Sequence, residues 1–262
     1  MRPIDPGTAA AAGLEGMLPL DLPARQRCLG VLDGTLTGAI RADDADPPGW
    51  MTVTELADGT TYVGGDVSPL QLAAIFATLE PVSGEFVVGL REPDDPVRAM
   101  LPGRGVRWSR AIDFTDRVPP PDEAAGLEPP SGCVVVAMDP SLLARTAWYA
   151  DTLMAFGTIE RWLEFGLGRA LVCGDELRCD ATAGPLIRGQ MEIGVRTAPD
   201  YGGRGYASVT CRHLARDIEA RGHAPWWNTN AENAPSIALA RALGFRRERA
   251  YDLAWWEAAA FR

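Results

Sequence analysis

The segment 197–211, TAPDYGGRGYASVTC, places three glycines and an arginine directly before a helical pattern. The start of a helix offers unpaired backbone N–H groups and the positive end of the helix dipole, which together bind phosphate. Glycines in the turn would let these amides approach a ligand without interference from a Cβ atom. A flexible turn is the alternative interpretation. We predict a diphosphate-binding loop formed by Gly203, Arg204, Gly205, Tyr206, Ala207 and Ser208.

A carboxylate lies on the strand that leads into this loop. Glu192 is two residues before Gly194 in the predicted strand QMEIGVRT. A carboxylate can accept a proton from a reacting group directly or through water, so we predict Glu192 as a general base. A solvent-exposed strand glutamate is the alternative, and Glu160, Glu164 and Asp180 are weaker candidates for the base.

Residue types that are absent or rare exclude several chemistries. All 25 basic residues are arginine, which excludes a P-loop, a pyridoxal-phosphate Schiff base and a kinase-type phosphate lysine within this sequence. Only His213 and His223 are present, so we expect no multi-histidine metal centre. The five cysteines are odd in number and lack CxxC spacing. This favours buried thiols in a reducing cytoplasm over a disulfide framework or a zinc site.

Charge is distributed unevenly along the 262 residues. Residues 1–130 carry 20 acidic and 10 basic side chains, whereas residues 131–262 carry 15 of each. This change in net charge, together with the five prolines of RVPPPDEAAGLEPPSG (117–132), predicts a linker. The linker would join an acidic accessory domain, 1–130, to a second domain, 131–262. Solubility alone is one interpretation of the acidic half, and attraction of a cationic substrate is the other. No basic stripe and no apolar run of roughly 18 residues is present, so we expect neither nucleic acid nor a membrane as a partner.

The hydrophobic patterns predict α/β organisation in both parts. In the first part, WMTVTELADGTTYVGGD alternates on both sides of Asp58-Gly59, which is typical of a hairpin. The other elements predicted there are helices over 23–32 and 68–80 and strands over 85–90 and 106–114. The second part predicts strand 133–139, a helix from Pro140, helix 151–166, strands 169–174, 176–182 and 190–197, helix 206–222, strand 224–230, helix 233–245 and two final strands, FRRER and YDLAWW.

The second part resembles the GCN5-related N-acetyltransferase (GNAT) family in its β-α-α-β-β-β-α-β-α-β-β order and in two motifs. The family's acyl-CoA signature, Arg/Gln-x-x-Gly-x-Gly/Ala, falls on Gly202 to Ala207 as GGRGYA. The second motif is an asparagine, a small residue three positions later and a final LGF. It is matched by Asn233, Ser236 and Leu243-Gly244-Phe245. The chain is most similar to a subgroup with an extra N-terminal domain.

The resemblance implies an α/β (α+β) fold with a mixed, mostly antiparallel sheet flanked by helices. The first half would then be an additional α/β domain, and a degenerate copy of the same fold is one interpretation of it. The implied co-substrate is acetyl-CoA, used without a metal. The acceptor would be the primary amine of a small cationic molecule, and the protein a cytoplasmic monomer or homodimer. A catalytically silent acyl-CoA-binding module is the alternative function.

The resemblance also implies roles for single residues. In this fold the fourth strand is splayed from the fifth, so Val195 and Thr197 would offer backbone groups to pantetheine. The amide of Val195, or of Ile193 in the other register, would polarise the thioester carbonyl. The remaining implied assignments are Asn233 and Ser236 for the cofactor and Trp227 and Asn228 for the acceptor.

Two departures from the family pattern affect these roles. Gly202 replaces the usual arginine or glutamine of the signature, which leaves more of the phosphate binding to Arg204. Ala240 stands where many members carry a tyrosine acid. The departing thiolate would then take its proton from Tyr251, Tyr206 or water, or would leave unprotonated, because a thiol pKa near ~8.5 makes that route accessible at neutral pH.

Overall fold

The computed structural model describes residues 1–18, 25–56, 59–68, 70–71, 74–75, 85–90 and 107–257. The chain forms two compact units: unit 1 comprises Met1–Ile112 and Arg249–Arg262, and unit 2 comprises Asp113–Glu248. The units therefore divide at residues 112/113 and 248/249, whereas the sequence predicted a division at 130/131.

Unit 1 is an α/β unit built on a mostly antiparallel sheet. Its elements are β1 (Arg2–Ile4), α1 (Ala9–Ala12), α2 (Arg25–Leu32), β2 (Gly38–Ala42), β3 (Trp50–Glu55), β4 (Thr60–Gly65) and β5 (Glu85–Leu90). Strands β1 to β4 pair antiparallel in sequence order, and β5 pairs parallel with β4. The β3–β4 register confirms the predicted hairpin. Most of the helix predicted over 68–80 lies outside the described residues, and a degenerate GNAT copy stays a prediction.

Unit 2 contains the elements that position the predicted site, together with the end of the strand that begins at Arg107 and the start of the strand that ends at Glu257. The elements that follow β5 are β6 (Arg107–Arg117), β7 (Cys133–Ala137), α3 (Pro140–Leu143), α4 (Tyr149–Phe156), α5 (Ile159–Phe165), β8 (Leu167–Cys173), β9 (Glu176–Ala183), β10 (Gln190–Thr197), α6 (Tyr206–Ala220), β11 (Ala224–Asn230), α7 (Ala234–Ala242) and β12 (Phe245–Glu257). Strands β7 to β10 pair antiparallel, and β10 pairs parallel with β11. This mixed sheet, with its helices, confirms the predicted fold class.

Two element boundaries differ from the prediction. The helix expected over 151–166 is two helices, because Gly157 adopts φ +83° and the Thr158 side chain accepts a hydrogen bond from the Arg161 amide to start α5. The two expected C-terminal strands form one strand, β12. Its sequence has no glycine, proline or turn-forming pair between Arg249 and Tyr251 at which pairing would stop.

Helices pack on both faces of the unit 2 sheet. On one face, Tyr206 and Val209 of α6 pack on Leu171 and Cys179. On the other face, Leu143, Phe156 and Trp162 of the three short helices pack on Ala170. Successive side chains of a strand point to opposite faces, so the adjacent residues Ala170 and Leu171 pack into separate cores on the two faces of the sheet. The apolar periodicity of α6 is explained by this burial.

The proline-rich segment 117–132 is part of unit 2. The Arg117 side chain is fully buried and pairs with Glu123 and Glu219 at 2.5 and 2.6 Å. The Leu127 carbonyl lies 3.0 Å from Nε2 of His213 on α6. The predicted free linker is therefore corrected, because ion pairs and a hydrogen bond to α6 hold this segment.

The cysteine prediction also needs a correction. Cys133 and Cys173 form a disulfide, because the antiparallel β7–β8 register places them directly opposite each other. Cys28, Cys179 and Cys211 are buried thiols, as expected. Within the described ranges, no helix is both long and apolar enough to cross a bilayer.

Candidate active site

The loop before α6 has the backbone form that its glycines suggested. Gly203 and Gly205 adopt φ values of +73° and +78°, and a Cβ atom built on either would meet no atom within 4 Å. Both glycines are needed for a left-handed conformation rather than for internal packing. Gly202 has φ −60°, so its lack of a side chain is not required by the backbone. The loop is open on its outer side.

The first turn of α6 has unpaired amides. Gly205 occupies the N-cap position, and no side chain caps the helix. The amides of Tyr206, Ala207 and Ser208 precede the first intrahelical donors and so have no partner inside the helix. Arg204 is exposed beside them, with Nη2 3.3 Å from the Asp200 carbonyl. Open amides, positive-φ glycines and a nearby guanidinium fit a diphosphate.

Strands β10 and β11 part after a short pairing. Their last parallel pair is Glu192–Trp226, whereas β10 stays paired with β9 as far as Thr197. The Glu192 carbonyl accepts from the Gly184 amide, and the Ala198 amide donates to the Arg178 carbonyl, both on the β9 side. Strand alternation turns the backbone groups of residues 193, 195 and 197 to the opposite edge.

The unpaired edge of β10 therefore carries the three predicted cofactor residues of this strand. Ile193 adjoins the last parallel pair, so Val195 is the first residue whose outward amide lies clear of the β11 ladder. No strand in the described part of the chain pairs with Val195 or Thr197 on this side. Of the two predicted amide donors, only that of Val195 lies beyond this pairing, and its role stays a prediction.

One face of β10 is open beside this edge. Glu192, Gly194 and Arg196 share that face, because side chains two residues apart in a strand point the same way. A Cβ atom on Gly194 would lie 3.9 Å from Thr182 Oγ1, so ordinary packing would tolerate it. The half-buried Glu192 thus lies next to a position without a side chain. A small acceptor would find room there.

The other candidate carboxylates lie in different environments. Glu160 and Glu164 are exposed on α5. Asp180, across from Arg196 in the β9–β10 register, is only 6% exposed, and its Oδ2 atom has no hydrogen-bond partner among the described residues. Burial raises the pKa of Asp180 to about 6. A single aspartate in ELRCDAT gives no sign of its burial, so the sequence pattern did not predict this environment, and the role of Asp180 as a weaker candidate base stays a prediction.

The predicted proton donors are not gathered at the β10 face. Tyr251 belongs to unit 1 and is 5% exposed. Tyr206 is buried, and its hydroxyl interacts with Arg178, raising the pKa of that guanidinium. Ala240 is fully buried in α7, at the position where the family often has tyrosine. The catalytic role of Tyr251 stays a prediction.

The second family motif forms internal contacts. The Asn233 side chain caps α7 by accepting from the Ser236 amide at 3.2 Å. Ser236 Oγ accepts from Nε1 of Trp227 at 3.1 Å, and Trp227 is 2% exposed. Nδ2 of Asn228 donates to Asp113 at 2.5 Å. These residues hold β11 and α7 in place, and their predicted roles toward cofactor and acceptor stay predictions.

A cavity of about 550 Å³ lies on the β9–β10 face. Asp180, Arg196, Arg145 and Arg178 are among the residues that line it. Sequence reasoning missed the three arginines, because they come from a loop and two strands and meet only in the folded chain. In the described ranges, no group of three or more His, Cys, Asp or Glu side chains is placed to hold a metal ion.

The family model for GNAT acetyltransferases matches residues 125–254. An uncharacterized N-acetyltransferase of Bacillus subtilis (strain 168), YdfB, is 23% identical over 234 residues. This alignment covers 85% of the present chain and 87% of the Bacillus protein. The family model thus includes the glycine loop, the splayed strands and the α7 motif.

Solved structures show the same fold. A GCN5-related N-acetyltransferase-like protein from Streptococcus suis 89/1591 has a TM-score of 0.72 at 20% identity, covering 95% of this chain and 98% of that one. A putative GNAT-family acetyltransferase from Novosphingobium aromaticivorans DSM 12444 has a TM-score of 0.56 at 22% identity, covering 90% and 97%. Through residues 125–254, the chain belongs to the GNAT acetyltransferase family.

Proposed function

We propose that the protein transfers an acetyl group from acetyl-CoA to the primary amine of a small cationic molecule, by direct transfer in a ternary complex. The observation that carries the proposal is the unpaired edge of β10 beyond the Glu192–Trp226 pair, which leads straight to the uncapped start of α6. A backbone edge suits the amides of pantetheine, and a bare helix start suits a diphosphate.

The residues that would hold acetyl-CoA follow from this arrangement. The amides of residues 205–208 and the Arg204 guanidinium would bind the pyrophosphate, and the backbone of Val195 and Thr197 would pair with pantetheine. When bound, acetyl-CoA supplies the acetyl group as an activated thioester. The Val195 amide would donate a hydrogen bond to the thioester carbonyl oxygen. This bond would stabilise the negative charge that develops on the oxygen during acetyl transfer.

Proton removal from the acceptor is assigned to Glu192. An amine attacks only when neutral, so a carboxylate on the open β10 face, directly or through water, assists by taking its proton. Direct transfer is favoured over a cysteine acyl-enzyme, because burial raises the pKa of the Cys179 and Cys211 thiols in this unit. Thiols held protonated in a core are poor nucleophiles.

The departing thiolate needs no dedicated acid in this scheme. Ala240 supplies no proton, and the Tyr206 hydroxyl already interacts with Arg178. A thiolate whose conjugate acid has a pKa near ~8.5 can leave unprotonated or take its proton from water at neutral pH. We therefore expect the pH dependence of turnover to report the base and the acceptor amine, and Tyr251 remains the predicted alternative proton donor.

Thiol release from acetyl-CoA, measured over a panel of primary amines, tests the proposed function. We expect amine-dependent release above the rate of acetyl-CoA hydrolysis without acceptor, and an N-acetylated product by mass spectrometry. Calorimetric titration with acetyl-CoA is the parallel measurement. Binding without release from any amine would favour the silent acyl-CoA-binding module, which the replacement of a signature residue by Gly202 supports. The absence of both binding and release would contradict both functions.

A further inference from the structure

The cavity on the β9–β10 face contains an acid without a hydrogen-bond partner for one of its oxygens. Asp180 is 6% exposed, lines the cavity and has an unpartnered Oδ2 atom. Nε1 of Trp148 is also unpartnered among the described residues, although it lies near enough to favour the charged carboxyl. A buried polar group left unpaired destabilises the fold, so such a group in a native site needs an explanation. The Trp148 indole is the neighbouring donor but forms no hydrogen bond of normal geometry, so a ligand in the cavity would supply a donor to the Asp180 carboxyl.

A cation stands directly beside this acid. Arg196 is the cross-strand partner of Asp180, which places their Cβ atoms about 4.5–5.5 Å apart on one face. The two groups attract each other without a contact within 4 Å, and Arg196 makes no hydrogen bond with any described residue. The acid and the guanidinium therefore both keep capacity for an external partner.

The other two arginines of the cavity are engaged. Arg145 donates to the Asp175 carbonyl at 2.9 Å, and Arg178 pairs with Glu176 at 3.2 Å. They line the cavity and contribute to its electrostatic potential, but their main contacts are with other groups of the protein. The juxtaposed Asp180 and Arg196 remain as one acceptor and one donor group, side by side.

This pair lies at a defined distance from the expected reaction centre. Gly194 pairs with Thr182, and Arg196 with Asp180, two residues further along the same strands. At about 3.3 Å per residue, the two positions are separated by about 7 Å. An acceptor whose amine reacts beside Glu192 and Gly194 would extend a second group of the same molecule to Asp180 and Arg196.

We propose that this cavity binds a zwitterionic α-amino-acid head group of the acceptor, with its ammonium at Asp180 and its carboxylate at Arg196, while a second, more distant amine of the same molecule is acetylated. The proposal rests on the proposed function and narrows its acceptor to a diamino acid or a similar compound. A simple diamine would leave Arg196 unpaired, and a simple amino carboxylate would leave Asp180 unpaired. Only a zwitterion satisfies both groups.

Binding without acetyl-CoA tests the head-group site separately from catalysis. The probes are L-norleucine, which has the head group and no second amine, pentylamine, which lacks its carboxylate, and hexanoate, which lacks its amine. We expect calorimetry to show L-norleucine binding at least about tenfold tighter than either analogue, since hexanoate leaves the buried Asp180 carboxylate unpaired and pentylamine leaves the exposed Arg196 guanidinium without its carboxylate partner. Equal affinities, or pentylamine binding as tightly as L-norleucine, would overturn the proposal.

Two variants test which charged group of the ligand Asp180 and Arg196 each bind. Asp180→Asn should remove the advantage of L-norleucine over hexanoate, and Arg196→Gln its advantage over pentylamine. Arg216→Gln, an exposed arginine of α6, is the control and should change neither. Asp180→Asn should fold: burial raises the pKa of Asp180 from 3.8 to about 6, so ionisation of this carboxyl costs stability as the pH rises through that range, and asparagine does not ionise. L-norleucine affinity that is unchanged in both variants would contradict the assignment.

Turnover then separates this inference from the proposed function. L-lysine, cadaverine and 6-aminohexanoate all have a terminal amine. Cadaverine lacks the α-carboxylate of L-lysine, and 6-aminohexanoate lacks its α-amine. We expect kcat/KM for L-lysine to exceed that of either analogue by at least about tenfold, mainly through KM. Equal kcat/KM for all three would sink the inference and leave the acetyltransferase standing. Selective binding of L-norleucine without thiol release from any amine would support the head-group site and contradict the acetyltransferase activity.

Discussion

Two helix starts in unit 2 were both predicted to bind the cofactor, and they differ in one physical respect. At α6, Gly205 is left-handed, no side chain among the described residues caps the helix, and the first amides have no partner inside the helix. At α7, Asn233 accepts from the Ser236 amide, a proline occupies the first turn, and Ser236 Oγ accepts from Trp227. The polar groups at α7 are thus largely satisfied internally, whereas those at α6 are open to an anion.

This difference shows what a motif at a helix start can and cannot say. Glycine supplies nothing to the helix itself, so its presence at Gly203 and Gly205 has to be explained by conformation or by something outside the chain. Asparagine and serine at the start of α7 have a sufficient internal explanation as a cap, worth about 1 kcal/mol. The absence of a side-chain cap carries more functional information than the presence of one.

The largest expected effect separates chemistry from the binding at α6. Glu192→Gln keeps the size of the side chain and removes its ability to accept a proton. We expect kcat at pH 7 to fall by about 10²–10⁴-fold, with acetyl-CoA affinity unchanged. Steady-state kinetics and calorimetry measure the two quantities, and Glu160→Gln, exposed on α5, is the matched control. Near-normal turnover in Glu192→Gln would move the base to Asp180.

The next effect tests the open helix start directly. Gly205→Val should weaken acetyl-CoA binding by at least about tenfold, because a branched side chain blocks the approach of phosphate to the amides. Gly222→Val is the control at the far end of the same helix, since both glycines have φ +78° and no atom within 4 Å of a built Cβ. Both variants carry the same backbone strain, so their melting temperatures should fall alike.

The matched pair makes the result unambiguous. If Gly222→Val loses affinity as much as Gly205→Val, the loss comes from strain on α6 rather than from the loop. The corresponding alanine pair, Gly205→Ala and Gly222→Ala, repeats the comparison with less strain if either valine variant fails to fold. Intact affinity in a folded Gly205→Val protein would contradict the diphosphate site.

Much of unit 2 was predictable, because its signals are local. β10 and β11 were predicted with their observed bounds, since a short apolar run between turn residues defines a strand. The glycine loop followed from the sequence GGRGYA before an amphipathic helix. The break at Gly157 was missed, because the apolar periodicity continues on both sides of it and hides the change of direction.

Features that depend on register were not predictable. The juxtaposition of Asp180 with Arg196 and the pairing of Cys133 with Cys173 each require the alignment of two strands distant in sequence. The charge argument also depends on where the chain is divided. Unit 1 carries 17 acidic and 11 basic residues and unit 2 carries 18 and 14, whereas a division at 130/131 leaves the second part neutral.

A smaller effect is expected at the closed helix start. Asn233→Ala removes the cap of α7 and should lower the free energy of unfolding by about 1 kcal/mol, without changing acetyl-CoA affinity. Asn233→Asp keeps a cap oxygen and should restore stability. Chemical denaturation and calorimetry give the two readouts. A loss of affinity in Asn233→Ala that Asn233→Asp does not restore would instead support the cofactor role predicted from the family motif.

The smallest effect would make the open start still better suited to an anion. Gly202 has φ −60° and no atom within 4 Å of a built Cβ, so Gly202→Arg restores the usual residue of the signature without backbone strain. An exposed ion pair is worth about 0.2–1 kcal/mol, which predicts acetyl-CoA binding about 1.5–5-fold tighter. The gain should shrink with added salt, because exposed charges are screened within about 10 Å at ~0.1 M. Gly202→Ala controls for the loss of glycine itself. If it tightens binding as much as Gly202→Arg, the gain comes from a stiffer loop and not from charge, and the diphosphate would not lie within reach of residue 202.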